Sequence, residues 1–327
     1  MRDLAKLPKA HLHLHLEGAM RPSTLAELAD AAGIPVPPIT GFGSFSAFSG
    51  MYVAACEVLR SPDDLARLVH EVLEDAALAG ATWIEPAFYP PHHVERLGPT
   101  QQVLEIVLDA LASSSAALGI GAGLLLAADR TREVEDSLVQ ARMAAAHAGG
   151  GVVAFGLHND EEGYPPEPFA EAFAIAGDAG LIRAPHAGEL DGPASVLGAL
   201  DALGADRIQH GVRAIEDPEL VRRLADSPVC LDVCPSSNLL LSVVPDLASH
   251  PLPALLDAGV RCSLNADDPL LFGPGLLEEY ELCRNEMGFD DQRLAAIART
   301  SIEASAAPVD LRRRSLAGID AWLAAPA

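Results

Sequence analysis

Lysine is almost absent from this sequence. Of 22 basic residues in 327, only Lys6 and Lys9 are lysines, against 46 aspartates and glutamates, for a formal net charge of −24. So acidic a surface is repelled by phosphate backbones and anionic membranes, which excludes nucleic-acid or membrane binding as the main role. The arginine bias, together with abundant Ala, Gly and Pro, points to a high-GC genome. Cysteines are few: Cys56, Cys230, Cys234, Cys262 and Cys283 form no C-x-x-C pair and are odd in number, which argues against a disulfide framework and for a reducing cytosol. Long apolar runs are missing too. The longest, Gly119 to Ala128, is too short to span a bilayer, and the N-terminus lacks a signal-peptide core. No repeat, low-complexity tract or linker divides the chain. The expectation is one cytoplasmic domain over residues 1–327, of unassigned oligomeric state.

Half of the residues are hydrophobic, enough for a sizeable core. Eight β-like runs recur: Ala10–Leu16, Trp83–Phe88, Ile120–Ala127, Val152–Leu157, Leu181–His186, Arg207–His210, Val229–Val233 and Arg261–Asn265. Most are followed by helical patterns, and eight is the count of a (β/α)₈ TIM barrel. Ser61-Pro62-Asp63-Asp64 supplies an N-cap, a first-turn proline and early carboxylates, and Gly80 ends that helix. About 65 residues separate the first two runs, too many for one crossover. They predict an extra helical excursion over the barrel mouth.

Barrel active sites lie at the C-terminal ends of the strands. The unusual polar residues fall there: His13, His15, His186, Glu189, His210, Asp267 and Asp268. In H-L-H-L-H-L-E-G (His11–Gly18), residues i and i+2 share a face roughly 6.6 Å apart at about 3.3 Å per residue. His13 and His15 at that spacing can converge on one zinc, whereas an exposed edge strand is the bland alternative. The flanking leucines weaken that alternative, because they would pack outward against helices. Alternation also puts His11 and Glu17 on that face, but His11 lies a layer deeper, about 13 Å from His15, and reads as structural. In P-H-A-G-E (Pro185–Glu189) a small, flexible pair lets Glu189 turn back over the mouth. Burial there would make its carboxyl a proton donor or acceptor. R-I-Q-H-G (Arg207–Gly211) ends a strand in His210. S-L-N-A-D-D-P (Ser263–Pro269) ends the last in two adjacent carboxylates, which suit a metal ligand and a substrate contact, although D-D-P alone is commonly a turn.

Together with V-C-P-S-S-N (Val233–Asn238), these motifs resemble, in order and from Leu7 to about Tyr280, the adenosine deaminase family of the amidohydrolase superfamily. The resemblance implies a (β/α)₈ barrel holding one Zn²⁺ per chain that hydrolytically removes a purine 6-amino group. It implies zinc ligation by His13, His15, His186 and Asp267. Glu189 becomes the proton donor to purine N1, His210 the partner of the zinc-bound hydroxide, and Asp268 the contact to N7. The chemistry is coherent: zinc lowers the pKa of bound water towards 7, and C6 resists attack until N1 is protonated. Many two-metal relatives bridge their ions with a carboxylated lysine from a middle strand. With no lysine after Lys9, that arrangement is impossible here.

The substrate is less determined. Glu17 replaces the aspartate usual in nucleoside deaminases near the ribose 5′-hydroxyl, as in the free-base adenine deaminases. E-P-A-F-Y-P-P-H-H (Glu85–His93) and the spacing of Gly156–Pro166 also resemble that branch, whereas His158 and Asn159 are unusual in either. A backbone N–H near Asn159 is expected to reach purine N3. Pro185, V-C-P-S-S-N and L-x-E-Y (Leu277–Tyr280) resemble nucleoside and 6-aminodeoxyfutalosine deaminases, and Ala87 removes an arginine common in adenosine deaminases. The expectation is therefore a deaminase of adenosine or a 5′-modified adenosine, with adenine and 6-aminodeoxyfutalosine as alternatives. A catalytically inactive purine-binding protein is disfavoured, because the ligands, Glu189 and His210 are all present. The remaining histidines have bland readings: His70 in a helix, His147 at a helix end, His250 capping a loop, His92 and His93 solvated near the mouth. Cys234 reads as a buried thiol shaping a turn. Phe42, Phe45, Phe48 and Met51 read as core that could also line a lid.

Overall fold

Each of the eight β runs forms parallel strand, with helices between. The computed structural model describes residues 1–326. The pairing follows the chain. Lys9–His11 pairs with Ala81–Ile84, and Ala87–Phe88 with Leu124–Asp129, which pairs in turn with Val152–His158 and then Ile182–Arg183. His186–Ala187, Arg207–His210, Cys230–Val233 and Arg261–Leu264 continue the series. Single bridges from Leu14 to Asp267 and from His15 to Ala87 join the last strand to the first and the first to the second, closing the ring. Leu124–Asp129 is buried along its whole length, as parallel strands covered on both faces are.

Four expected strands are broken. Ile120–Ala127 is divided at Gly123 into Gly121–Ala122 and Leu124–Asp129. Trp83–Phe88 and Leu181–His186 are interrupted at Pro86 and Pro185, which have no N–H to give the ladder. Ala10–Leu16 is regular strand only over Lys9–His11, because the side-chain Oδ1 of Asn265 accepts the N–H groups of Leu12 (2.7 Å) and His13 (3.1 Å) in place of a backbone partner. Beyond His15 the chain enters a 3₁₀ turn over Glu17–Ala19, so Glu17 leaves the face that alternation assigned to it.

The excursion between the first two strands comprises helices Pro22–Ala32, Phe45–Cys56 and Pro62–Leu78. Pro62–Leu78 starts with a reciprocal Ser61–Asp64 capping box and buries Leu65, Leu68, Val69, Val72 and Leu73, an i, i+3, i+4 stripe. Phe45–Cys56 lies over the mouth instead. Its Phe48 stacks on Phe272 with ring centroids 5.0 Å apart, and Phe45 and Phe48 also line the cavity at the strand ends. No helix among the described residues is long and apolar enough to cross a membrane.

Beneath the strand ends an ionic layer fills the ring. Arg207 meets Glu85 at 2.6 Å and Asp232 at 3.0 Å, all three at most 1% exposed. Ser263 links Asp232 to Asn265, the residue that caps the backbone at His13. Arg207→Met would leave two buried carboxylates without a cation. Urea unfolding is expected to show a loss of about 3–5 kcal/mol, and a loss under about 1 kcal/mol would contradict this account.

Candidate active site

The strand ends converge on one cavity, lined among others by His15, His186, Glu189, His210, Asp267 and Asp268. Among the described residues, four non-glycine residues have positive φ, and three of them line it: Asn159 (79°), His210 (65°) and Asp267 (61°). Such left-handed backbone is costly for residues with a Cβ and concentrates at functional sites, where surrounding structure holds it.

Four donor atoms meet in the cavity floor. His13 Nε2 and His15 Nε2 lie 3.2 and 3.3 Å from His186 Nε2, and 3.2 and 3.3 Å from Asp267 Oδ1. Tetrahedral bonds of about 2.0–2.1 Å require donor separations of about 3.3–3.4 Å, and these four separations match that spacing. His13 Nδ1 donates to the Asp232 carbonyl at 3.0 Å and His186 Nδ1 to the Leu157 carbonyl at 3.1 Å, which leaves both Nε2 lone pairs facing the cluster. Burial pushes the His186 imidazole well down, so it is neutral, as ligation requires. Burial alone would raise the Asp267 carboxyl, but the imidazoles around it, His13 first, hold it well below the usual range. Donor atoms of His13, His186, His210 and Asp267 also lie within 4.8 Å of one another, as do those of His15, Asp267 and Asp268.

Two carboxyls stand beside the cluster in the opposite state. Burial, then the charge of Asp267, pushes both Glu189 and Asp268 well above the carboxylate range, so both are held as acids. Glu189 reaches the cavity because Gly188 turns the chain at φ +69°, where an added Cβ would lie 2.4 Å from Val196. Glu161 holds that turn, its Oε2 accepting the N–H groups of Glu189, Leu190 and Asp191 at 3.2, 3.1 and 2.8 Å. Gly18, the last residue of the opening motif, lies against Asp268: a Cβ there would fall 1.7 Å from its Oδ1.

The remaining expected residues are placed differently from one another. Glu17 is 1% exposed and does not line the cavity; its Oε1 meets His93 Nε2 at 2.6 Å and its Oε2 accepts from the Tyr52 hydroxyl at 2.8 Å. Burial would raise its carboxyl, but the His93 hydrogen bond and charge bring it down to about 2. Asn159 lines the cavity, although its side-chain amide donates to Asp129. His11 joins none of the donor groups; its Nε2 accepts the Ala266 N–H at 3.2 Å, a structural contact. His92 and His158 line the cavity, while His93 is buried behind it on Glu17. Sequence reasoning missed Glu161, whose contacts are all nonlocal, although it falls inside the Gly156–Pro166 stretch. It also missed a function for Asn238, which touches His210, and for His250, which touches Asn238.

Comparison with known proteins agrees with this geometry. The adenosine deaminase family model matches residues 8–322. A Streptomyces coelicolor protein whose name pairs adenosine with adenine deaminase is 46% identical over 99% of both chains. An adenine deaminase of Sinorhizobium medicae is 40% identical, over 96% of this chain and 99% of its own. Among solved structures, adenine deaminase from Arthrobacter aurescens superposes with a TM-score of 0.91 at 33% identity, covering 97% of this chain and 99% of that one. An amidohydrolase from Burkholderia ambifaria, solved with bound Zn, gives 0.88 at 27% identity over 98% and 93%. A parallel α/β ring, a buried histidine–aspartate cluster and a match along nearly the whole chain thus agree, and the chain belongs to the adenosine deaminase family.

Proposed function

We propose that this protein is a hydrolytic deaminase of an uncharged 6-aminopurine, built as one (β/α)₈ barrel with a helical excursion over its mouth. The observation that carries the reading is the meeting, in one cavity, of a histidine–aspartate cluster with two further buried carboxyls, Glu189 and Asp268. His13, His15, His186 and Asp267 would hold a zinc ion. Bound there, zinc would supply Lewis acidity to the attacking water. Glu189 delivers its proton to purine N1, which makes C6 electrophilic. Asp268, also protonated, donates to N7 and fixes the ring. His210 orients the attacking oxygen towards C6; of the two protons of the attacking water, one passes to the departing amino group, which leaves the tetrahedral carbon as ammonia, and the other restores Glu189.

The free base adenine is the substrate this geometry supports best. Glu17, the residue positioned by the motif for a ribose hydroxyl, has both oxygens engaged and lies behind Tyr52. Adenosine is the second reading, favoured by the buried His92 Nδ1, which has no hydrogen-bond partner and could take a hydroxyl. No lysine or arginine lines the cavity among the described residues, so a 5′ group carrying net negative charge finds no cation. The test is a kcat/KM panel of the zinc-loaded protein with adenine, adenosine, 5′-deoxy-5′-methylthioadenosine, S-adenosylhomocysteine, 6-aminodeoxyfutalosine and AMP. Adenine is expected to lead, with AMP and 6-aminodeoxyfutalosine lowest. Preference for a 5′-modified adenosine would overturn the free-base assignment. Absence of turnover with every purine would support a binding protein instead.

A further inference from the structure

A single backbone N–H sets the proton positions of three side chains leading into the cavity. His250 Nδ1 accepts the N–H of Leu252 at 3.0 Å. A backbone amide can only donate, so Nδ1 is bare and the proton of neutral His250 sits on Nε2. Burial, which brings that imidazole down to about 4, agrees with the neutral form. Nε2 lies 3.2 Å from Asn238 Oδ1 and donates to it. This fixes the orientation of the Asn238 amide, whose Nδ2 donates to His210 Nδ1 at 3.2 Å. His210 Nδ1 is therefore an acceptor, and its proton lies on Nε2, the nitrogen facing Glu189 at 3.4 Å and Asp267 at 3.6 Å. Asn238 is fully buried and His250 is 4% exposed, so no solvent exchange loosens the relay.

From this arrangement we infer that Asn238 and His250 are positioning residues that lock His210 in its Nε2–H tautomer. The consequence separates His210 from its neighbours. His13 and His186 each give Nδ1–H to a carbonyl and keep Nε2 free for a metal. His210 has the reverse tautomer, so in its neutral form it has no Nε2 lone pair and does not complete the metal site. Of the sets that proximity allows, the one containing His210 is disfavoured, and His15 is left as the third imidazole beside His13 and His186. His210 instead presents a hydrogen-bond donor to the attacking oxygen. This catalytic consequence rests on the proposed deaminase reading; the tautomer itself does not.

The test has two arms. Long-range ¹H–¹⁵N correlation spectra of the zinc-loaded, ¹⁵N-histidine-labelled protein, with the His210 signals assigned by their loss in His210→Gln, should show the proton on Nε2. A proton on Nδ1 would overturn the inference whether or not the protein deaminates any purine. In the second arm, the carboxylate introduced by Asn238→Asp can only accept, so the proton is drawn to Nδ1. A wrong histidine tautomer lowers kcat by up to about 10⁴-fold, and loss of a positioned proton-transfer group by roughly 10²- to 10⁴-fold. The expected result is a loss in that range, KM nearly unchanged and one zinc per chain retained. Unchanged kcat in a folded, zinc-loaded variant would overturn it as well. Should that variant fail to fold, the wild-type spectrum still decides.

Discussion

Glu189→Gln is expected to retain one zinc per chain and the wild-type unfolding midpoint, yet lose deamination by several orders of magnitude. General acid catalysis alone accounts for about 10²- to 10⁴-fold, and here the proton is also what makes C6 electrophilic. Glutamine is close to isosteric and cannot release a proton, so the change isolates the acid. The fold of the site should survive, because Glu161 holds residue 189 through its backbone N–H and not its side chain. The sign of the pH effect follows from the raised Glu189 carboxyl. The active form is the protonated one, so wild-type turnover persists through neutral pH and is lost as pH rises past the raised pKa. Steady-state kinetics with metal analysis of the same preparation checks this, and normal turnover in the variant would refute the acid role.

Second in expected size is the contrast between His13→Ala and His11→Ala. His13 contributes one of the four donors and has its other nitrogen tied to the Asp232 carbonyl. Its removal should lower zinc to well below one per chain and abolish activity. Removal of His11 takes away only an acceptor for the Ala266 N–H, so zinc stoichiometry should be unchanged. Metal loss should also appear as lost stability, since a ligand at a thousand times its Kd stabilises the native state by about 4.1 kcal/mol. Elemental analysis after gel filtration decides between them. Zinc kept by His13→Ala and lost by His11→Ala would reverse the assignment.

The broad architecture was legible because its signals are local. Apolar runs at strand length, Ser61-Pro62 opening a helix and Gly80 following it all read from neighbouring residues, and the eight runs reappear as parallel strand. The identities of the cluster residues were legible for a related reason. Few side chains bind zinc or deliver protons, and here they stand at the ends of strand-like runs. Interruptions at proline could have been anticipated. The break after His11 could not, because it depends on an Asn265 side chain more than 250 positions away.

By itself, then, the sequence determined the ring of strands, the position of the site at one end of it, the set of groups brought there and the family to which the chain belongs. Tertiary structure alone decided how each group is used. Alternation placed Glu17 beside the metal pair, but a 3₁₀ turn and contacts to Tyr52 and His93 draw its carboxylate away from the cavity. Parity and spacing treat His13, His15, His186 and His210 as equivalent imidazoles. Their partners make them unlike: carbonyls on two of them free Nε2, and an amide on His210 occupies Nδ1. The physical reason is directional. A hydrogen bond assigns a proton to one atom or the other, and which atom it is depends on groups that meet only when distant segments of the chain pack together.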